Sequence, residues 1–198
     1  MSLNGGYINS ICLVSILKSP VGYVTGNLTI AGESFAQGGY LTFLHLIILV
    51  MCFLVGGVIS GLVIKGQNFK IDRRYSASLI FQSLSIISAL ILLLHGYHEA
   101  SYLLALTMGM QNAMTTHYGT ALIRTTHMTG TTTDLGILIS RWIKGSPVEF
   151  WKMRLYISLI VGFSLGAILG VFAYQAFSAY ALIACVVFYF FMMSWRFF

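Results

Sequence analysis

Two short segments of this chain carry the same polar frame within otherwise apolar sequence. They are Thr25-Gly26-Asn27-Leu28-Thr29-Ile30-Ala31-Gly32 and Thr129-Gly130-Thr131-Thr132-Thr133-Asp134-Leu135-Gly136, and both follow the pattern Thr-Gly-x-x-Thr-x-x-Gly. The second copy begins 104 residues after the first, about half of the chain. Thr is a favoured N-cap residue, and Gly permits the backbone conformations that precede a helix. Each copy is therefore predicted to form the first turn of a short helix that begins inside a membrane.

Two helix starts inside a membrane would favour binding of a small anion. A helix N-terminus presents unpaired N–H groups and about half a positive charge, and two such ends meeting near the midplane would hold an anion between them. The predicted substrate-binding residues are those of the two frames that offer backbone, hydroxyl or amide groups: Thr25, Gly26, Asn27, Thr29, Thr129, Gly130, Thr131 and Thr133.

Two cations precede the frames. Arg124, five residues before Thr129, is the predicted charge partner of the anion, and Lys18 precedes the first frame. A cation within apolar membrane sequence is costly and marks a site or a pathway by default. The alternative is that Lys18 and Arg124 reach an interface from helix ends while the frames only break the packing.

Three further titratable residues lie on or beside the two short helices. Glu33 and Asp134 are carboxylates in an apolar setting, and His127 adjoins the second frame, so the three are candidates for proton coupling. The alternatives are carboxylates that reach water or pair with a cation, and a hydrogen-bonded structural His. Asn9 and Asn112 hold equivalent places before the two frames and are predicted to hydrogen-bond across helices or to the broken backbone.

The sequence does not favour a metal site, a cofactor, a nucleotide-binding motif or nucleic-acid binding. His95, His98 and Glu99 form a connector without the further ligands that a zinc site needs, so no metal or other cofactor is predicted. Nucleotide-loop, zinc-protease and serine-hydrolase motifs are absent from the sequence. An intramembrane enzyme using Asp134, His127 and Glu33 is kept as a less favoured alternative. Lys and Arg cluster in two loops rather than on a basic face, which argues against nucleic-acid binding.

Composition indicates a polytopic helical membrane protein. The chain is 58% hydrophobic and only 8% charged, far from the soluble average of about a quarter charged. We predict one integral membrane domain over residues 1–198. Its expected segments are a helix at 7–17, an extended link at 19–24, a half-helix at 27–37, spans at 41–64 and 75–94, a broken segment at 102–140, and spans at 155–174 and 177–195.

The basic loops predict an orientation. If residues 65–74 and 141–154 are cytoplasmic, as the positive-inside rule suggests, the chain crosses six times and both termini are cytoplasmic. Each half, about 5–95 and 101–198, then has three crossings. The second half is therefore inserted upside down, as in many secondary transporters. This predicts a multi-pass membrane protein.

Four motifs in order resemble the YoaK-like family of small bacterial inner-membrane proteins, a domain of unknown function. They are Asn4-Gly5-Gly6-Tyr7-Ile8-Asn9, Val24-Thr25-Gly26-Asn27-Leu28-Thr29, Met108-Gly109-Met110-Gln111-Asn112-Ala113 and Arg124-Thr125-Thr126-His127-Met128-Thr129-Gly130-Thr131. The resemblance implies an inner-membrane location and a six-helix fold. An extended piece leading into a half-helix, once per inverted repeat, is also similar in architecture to sulfate-permease and uracil-permease transporters.

The sequence thus predicts a transporter or channel for a small anionic or polar solute rather than an enzyme. A membrane interaction or scaffold protein, whose broken helices only pack, is the alternative from another class. A homodimer within the lipid bilayer is expected, because the chain is short for a transporter. Its predicted contacts are the glycine ladders, Gly57 and Gly61 with Gly162, Gly166 and Gly170, or the aromatic run at 188–191.

Overall fold

A computed structural model describes residues 1–64, 73–118 and 124–194 of the chain. These residues form helices and no strand. In chain order the α-helices are α1 (Ser2–Val14), α2 (Val24–Ala36), α3 (Tyr40–Val63), α4 (Arg73–Leu94), α5 (Ala100–Tyr118), α6 (Met128–Ile143), α7 (Phe150–Phe177) and α8 (Ile183–Ser194), with a 3-10 turn (Ser178–Leu182) between the last two. The all-helical prediction is confirmed for the part of the chain described.

Among the described residues, three segments are long and apolar enough to cross a membrane. They are Tyr40–Val63, Arg74–Leu94 and Phe150–Ser194. The outward faces of α3 and α7 carry large exposed apolar side chains, among them Leu44, Met51, Leu165 and Phe172. Such surfaces fit a hydrocarbon environment. Long apolar helices with lipid-like outer faces are consistent with the predicted membrane protein.

Both broken segments divide where the sequence places polar residues. The first divides into α1 and α2, with residues 15–23 between them (link 1). The second divides into α5 and α6, and residues 124–127 lie directly before α6 (link 2). Some predicted features lie outside the described residues. They are residues 119–123, the first predicted basic loop (65–74) apart from Arg73 and Arg74, and the C-terminal Trp195 and Arg196.

Several predicted boundaries were wrong, and each error has a local cause. Helix α1 spans Ser2–Val14 rather than 7–17, because Gly5 and Gly6 are packing positions instead of breaks. Helix α7 starts at Phe150, before Lys152 and Arg154, since a basic residue at a membrane interface does not end a helix. The last predicted span starts with a 3-10 turn, because Ser178 has a positive φ of 53°.

The first helix of each half packs against the other half. Helix α1 lies along α7 and also contacts the 3-10 turn and α8, while α5 lies along α3 and α4. The contacts advance together along both helices, from Leu3 with Gly162 to Tyr7 with Gly170 in one crossing and from His45 with Tyr102 to Gly56 with Leu106 in the other, so the paired helices run parallel. The two crossings are built alike, because an added Cβ at any of four glycines would overlap a backbone carbonyl oxygen of the facing helix. These are Gly6 against Phe163, Gly166 against Leu3, Gly109 against Phe53 and Gly56 against Leu106.

Corresponding residues in these crossings have nearly constant offsets. Gly6 and Gly109 differ by 103 residues, and so do Leu3 and Leu106; Gly56 and Gly166 differ by 110. Glycine is needed at all four positions because two helix backbones are in contact there. The ladder predicted as a dimer contact is therefore partly internal. Gly166 and Gly170 are occupied by α1, whereas an added Cβ at Gly57 meets nothing within 4 Å.

Candidate functional site

Both half-helices start two residues after a contact between the links. Gly22 of link 1 lies against Thr126 of link 2, since a Cβ added at Gly22 would be 3.6 Å from the Thr126 Cβ atom. Helix α2 starts at Val24, and α6 starts at Met128. The two helices then diverge: α2 packs on α3 and α6 on α7, and, within these fully described helices, no Cα pair of α2 and α6 lies within 8 Å. The links meet, and the frames do not.

Link 2, which directly precedes α6, lies alongside α7 and away from the ends of that helix. The Ser2 hydroxyl is 3.0 Å from the Thr125 carbonyl oxygen of link 2 and 2.7 Å from the Leu159 carbonyl oxygen of α7. Leu159 is nine residues after the start of α7, which at 1.5 Å per residue corresponds to about 14 Å along its axis. Link 2 is thus far from the end of the helix that it touches.

An Asn of the preceding helix holds each link in place. The Asn9 Oδ1 atom accepts a hydrogen bond of 2.8 Å from the Gly22 backbone N–H. The Asn112 Oδ1 atom accepts one of 3.1 Å from the Thr126 backbone N–H, and its Nδ2 donates to the Thr126 Oγ1 at 2.7 Å. Both side chains thus satisfy backbone groups that the helix break leaves free.

The predicted N-caps were wrong. Tyr23 and His127 occupy the N-cap positions, and neither makes a side-chain capping hydrogen bond. Thr25 and Thr129 lie inside the first turn, which agrees with the prediction that each frame forms the first turn of its helix. Each helix therefore begins with first-turn N–H groups that no side chain caps. These helix starts can donate to a bound acceptor.

An aromatic ring covers the frame glycine in each half. A Cβ on Gly26 would overlap the Tyr23 ring, and one on Gly130 would overlap the His127 ring. Both rings belong to N-cap residues, and both residues are exposed. Gly26 and Gly130 are thus needed so that the N-cap ring can fold back over the first turn. His127 replaces the aromatic Tyr23 in the equivalent place.

Most predicted hydroxyl donors are already used within their own helix. Oγ1 of Thr29 donates to the Thr25 carbonyl at 3.0 Å, Thr131 to the His127 carbonyl at 2.9 Å, and Thr133 to the Thr129 carbonyl at 3.0 Å. Thr25 and Thr129 make no hydroxyl hydrogen bond within the part of the chain described. Among the predicted substrate-binding hydroxyls, these two, both exposed, are free to donate to a solute.

Asn27 is a structural residue of link 1. It is fully buried, and its Nδ2 donates to the Pro20 carbonyl at 2.9 Å. Its Oδ1 has no hydrogen-bond partner. The amide N–H groups that the sequence assigned to a solute are therefore oriented toward the link, and the equivalent position in the second half is Thr131.

The charged candidates are exposed. Arg124 lies in link 2, and Lys18 lies in link 1 with a positive φ of 52°. Glu33 accepts a hydrogen bond of 3.2 Å from Gln37, and Asp134 lies on the outer side of α6. None of these four charges forms an ion pair with another described residue. The candidates for proton coupling therefore lie on outer surfaces.

The sequence did not indicate the buried polar network beside the links. Gln111 is fully buried in α5: its Oε1 accepts from Asn4 Nδ2 at 3.1 Å and from the Tyr189 hydroxyl at 2.9 Å, and its Nε2 donates to Thr125 Oγ1 at 2.9 Å. The network joins α1, α5, α8 and link 2. Adjacent Gln and Asn at 111 and 112, within an apolar helix, are the signal that could have indicated it.

The residues described contain no cluster of three His, Cys, Asp or Glu side chains able to hold a metal ion. His45 instead pairs with Tyr102, at 2.8 Å from its Nδ1 to the phenolic oxygen. That contact joins α3 to α5 next to the His98 and Glu99 connector.

A comparison with family models gives a match over residues 1–195, to the protein family of unknown function DUF1275. The chain belongs to the DUF1275 family. The predicted membership of a family of unknown function is thereby confirmed. No curated protein matches the chain significantly, and neither does any solved structure. The function of this DUF1275 member must therefore be argued from its own residues.

Proposed function

We propose that this chain is a membrane transporter or channel for a small anionic or polar solute, bound at the N-termini of α2 and α6. The observation that carries the proposal is the contact of Gly22 with Thr126, from which two uncapped helix starts diverge within two residues. Helix starts within a low-dielectric protein are anion sites because their N–H groups and dipoles are fixed in advance.

The proposed site consists of the free first-turn N–H groups with two hydroxyls and one charge. The N–H groups are those of residues 24–26 and 128–130, and the hydroxyls are those of Thr25 and Thr129. Arg124 provides a positive charge at link 2. Glu33, Asp134 and His127 remain the candidates for proton coupling, by movement of a proton on an exposed side chain.

We further propose that the two halves form an inverted repeat, with six crossings in a bacterial inner membrane and both termini cytoplasmic. The matched crossings of α1 with α7 and of α5 with α3 support the repeat, as do the equivalent Asn9 and Asn112 bonds. A repeat interface near the midplane is where transporters of this plan bind substrate. The YoaK-like resemblance and the permease-like architecture belong to the same proposal.

Flux into liposomes tests the function. Purified protein is reconstituted and challenged with chloride, nitrate, bicarbonate, formate, acetate and phosphate. We expect entry of at least one anion about tenfold above protein-free vesicles. In Arg124→Ala, entry should fall to near the protein-free level, because a single charge-assisted contact contributes about 1.5–3 kcal/mol, a factor of more than about ten. Ser158→Ala, an exposed hydroxyl that bonds within α7, serves as the control.

A scaffold function is the alternative, and one observation favours it. The hydroxyls of Thr29, Thr131 and Thr133 are used inside their helices, as expected of residues that only pack. If no anion of the panel enters and none raises the unfolding temperature in an Arg124-dependent way, the transport proposal fails and the scaffold function is preferred.

A further inference from the structure

The chain reversal between α6 and α7 carries a dense set of positive charges. Residues 141–154 contain four cations, Arg141, Lys144, Lys152 and Arg154, against the single carboxylate of Glu149, a net charge of +3. We call this segment the basic hairpin. It comprises the last turn of α6, the connector and the start of α7. The proposed solute site does not use any of its residues.

Backbone hydrogen bonds fix the end of α6 within the basic hairpin. The Gly145 N–H donates to the Trp142 carbonyl and the Ser146 N–H donates to the Arg141 carbonyl, each at 3.0 Å. Gly145 has a positive φ of 69°, the conformation that closes many helix C-termini and satisfies their last carbonyls. The side chains of Arg141 and Lys144 are therefore not needed to cap the helix.

An apolar contact holds the connector against both helices. Val148 packs on the buried cluster of Leu138 from α6 with Tyr156 and Leu159 from α7. The end of α6 and the start of α7 are thus kept together, and the charges that they carry lie at one end of the helix pair.

The one carboxylate of the basic hairpin is already engaged. Glu149 forms an ion pair with Lys152, and the hydrogen bond from Lys152, together with the positive charge of Arg141, lowers the pKa of the Glu149 carboxyl. Arg141, Lys144 and Arg154 are exposed, and none of them forms an ion pair with another residue in the described part of the chain. The excess of positive charge is therefore available to an external anion.

Large apolar side chains accompany these charges. Trp142, Ile143, Phe150 and Trp151 are each more than half exposed, and the Lys152 Nζ atom lies 5.4 Å from the centre of the Trp151 ring. Trp rings at the ends of membrane segments lie at the level of the lipid headgroups. The free cations are thus expected at the level of the lipid phosphates, next to apolar groups that suit acyl chains.

We propose that the basic hairpin binds an anionic phospholipid of the surrounding bilayer. Arg141 and Lys144 contact the headgroup phosphate, because guanidinium and ammonium groups bind phosphate oxygens through charge-assisted hydrogen bonds. Trp142 and Ile143 contact the acyl chains. Clusters of four or more Lys and Arg next to a membrane helix are typical of anionic-lipid recognition. The inference needs only the membrane location and is independent of the proposed transport function.

Quenching of Trp fluorescence by brominated lipids tests the proposal. In a Trp195→Phe background the two remaining tryptophans, Trp142 and Trp151, both lie in the basic hairpin. The protein is placed in phosphatidylcholine nanodiscs with a minor fraction of brominated phosphatidylglycerol or of brominated phosphatidylcholine. We expect several-fold stronger quenching by phosphatidylglycerol, because its negative headgroup enriches it at the basic hairpin.

Single-charge variants locate the binding. Arg141→Gln and Lys144→Gln should each weaken the preference for phosphatidylglycerol about fivefold, the equivalent of about 1 kcal/mol per basic residue at a membrane surface. Arg141→Lys keeps the charge and should retain most of the preference. Lys18→Gln removes one exposed cation from link 1. It is the matched control and should leave the quenching unchanged.

Three outcomes would overturn the proposal. The first is equal quenching by the two brominated lipids. The second is a preference that both Gln variants in the basic hairpin leave intact, or that Lys18→Gln weakens by as much. The third is displacement of the brominated lipid by excess soluble glycerol phosphate at matched ionic strength, which would show that the phosphate is bound without its acyl chains.

Discussion

Gly22 and Thr126 lie 104 positions apart in the chain and are in contact in the fold, at 3.6 Å from a Cβ built on Gly22 to the Thr126 Cβ. Both residues donate their backbone N–H to an Asn of the preceding helix. The contact joins the two places where the chain leaves a helix and starts another. It is therefore the point about which the proposed site is built.

The glycines of the two crossings should be equally intolerant of a side chain. Gly6→Ala and Gly109→Ala each place a methyl group on a facing carbonyl oxygen, which forces the helices apart. We expect each to lower the free energy of unfolding by about 1–3 kcal/mol, the usual cost of overpacking. Thermal unfolding in detergent measures it. Gly57→Ala should not destabilise the protein, because its Cβ meets nothing within 4 Å and Ala is the better helix former. A loss there equal to that of Gly6→Ala would contradict the argument.

Asn112→Ala should destabilise the protein more than Asn9→Ala. Asn112 satisfies the Thr126 N–H and also bonds the hydroxyls of Thr125 and Thr126, whereas Asn9 accepts one bond from Gly22. A buried donor left unpaired costs about 1–3 kcal/mol. Chemical unfolding compares the variants, and hydrogen exchange at the links locates the effect. Equal losses would show that only the link N–H bond matters.

Substitutions at Gln111 and Tyr189 should have non-additive effects on the free energy of unfolding. Gln111→Leu leaves the Tyr189 hydroxyl without its acceptor in a fully buried place, and Tyr189→Phe removes the donor. The double variant removes both, so it should cost less than the sum of the two by about 0.5–3 kcal/mol, as for residues sharing one network. A double-mutant cycle in detergent measures this coupling, and strict additivity would disprove it.

Replacing the frame hydroxyls that make no hydrogen bond should reduce transport more than replacing those that bond within their own helix. Thr25→Val with Thr129→Val removes two frame hydroxyls that make no hydrogen bond in the described part, while preserving the shape of the side chains. We expect anion flux to fall several-fold, as for loss of about 1 kcal/mol of hydrogen bonding. Thr29→Val with Thr133→Val removes hydroxyls that donate to backbone carbonyls. That pair is the control, and an equal loss of flux would place the site elsewhere on the frames.

Single cysteines should report opposite sides of the membrane. Ser146 lies within the basic segment 141–154, and Tyr97 lies in the connector between α4 and α5. An impermeant thiol reagent applied to whole cells should label Tyr97→Cys, and Ser146→Cys only after lysis, as the basic loops predict. Native Cys12 and Cys185 are buried, so they add little background. Labelling of both from outside would contradict the six-crossing topology.

The helical class, the two helix breaks and the Asn residues that bond to the links could be predicted from the sequence. The packing of the two halves against each other could not. Hydrophobic runs and duplicated frames are local signals, and they led to α2, α6, Asn9 and Asn112. The exchange of α1 and α5 between halves depends on glycines whose partners are about 50 to 160 positions away, and no local pattern reveals such a pairing. The direction in which Thr25 and Thr129 face was likewise set by packing on α3 and α7. Gln111 was missed because an amide inside an apolar helix gives no periodic signal.

The packing of α1 against α7 also constrains how the protein is made. When α1 leaves the ribosome, the helix that will receive Gly6 and Leu3 has not yet been synthesised, because α7 starts at Phe150. At about 5–20 residues per second, α1 must wait many seconds with Asn4 and its glycine face uncovered. The packing of α1 is therefore completed only after the second half of the chain has been synthesised.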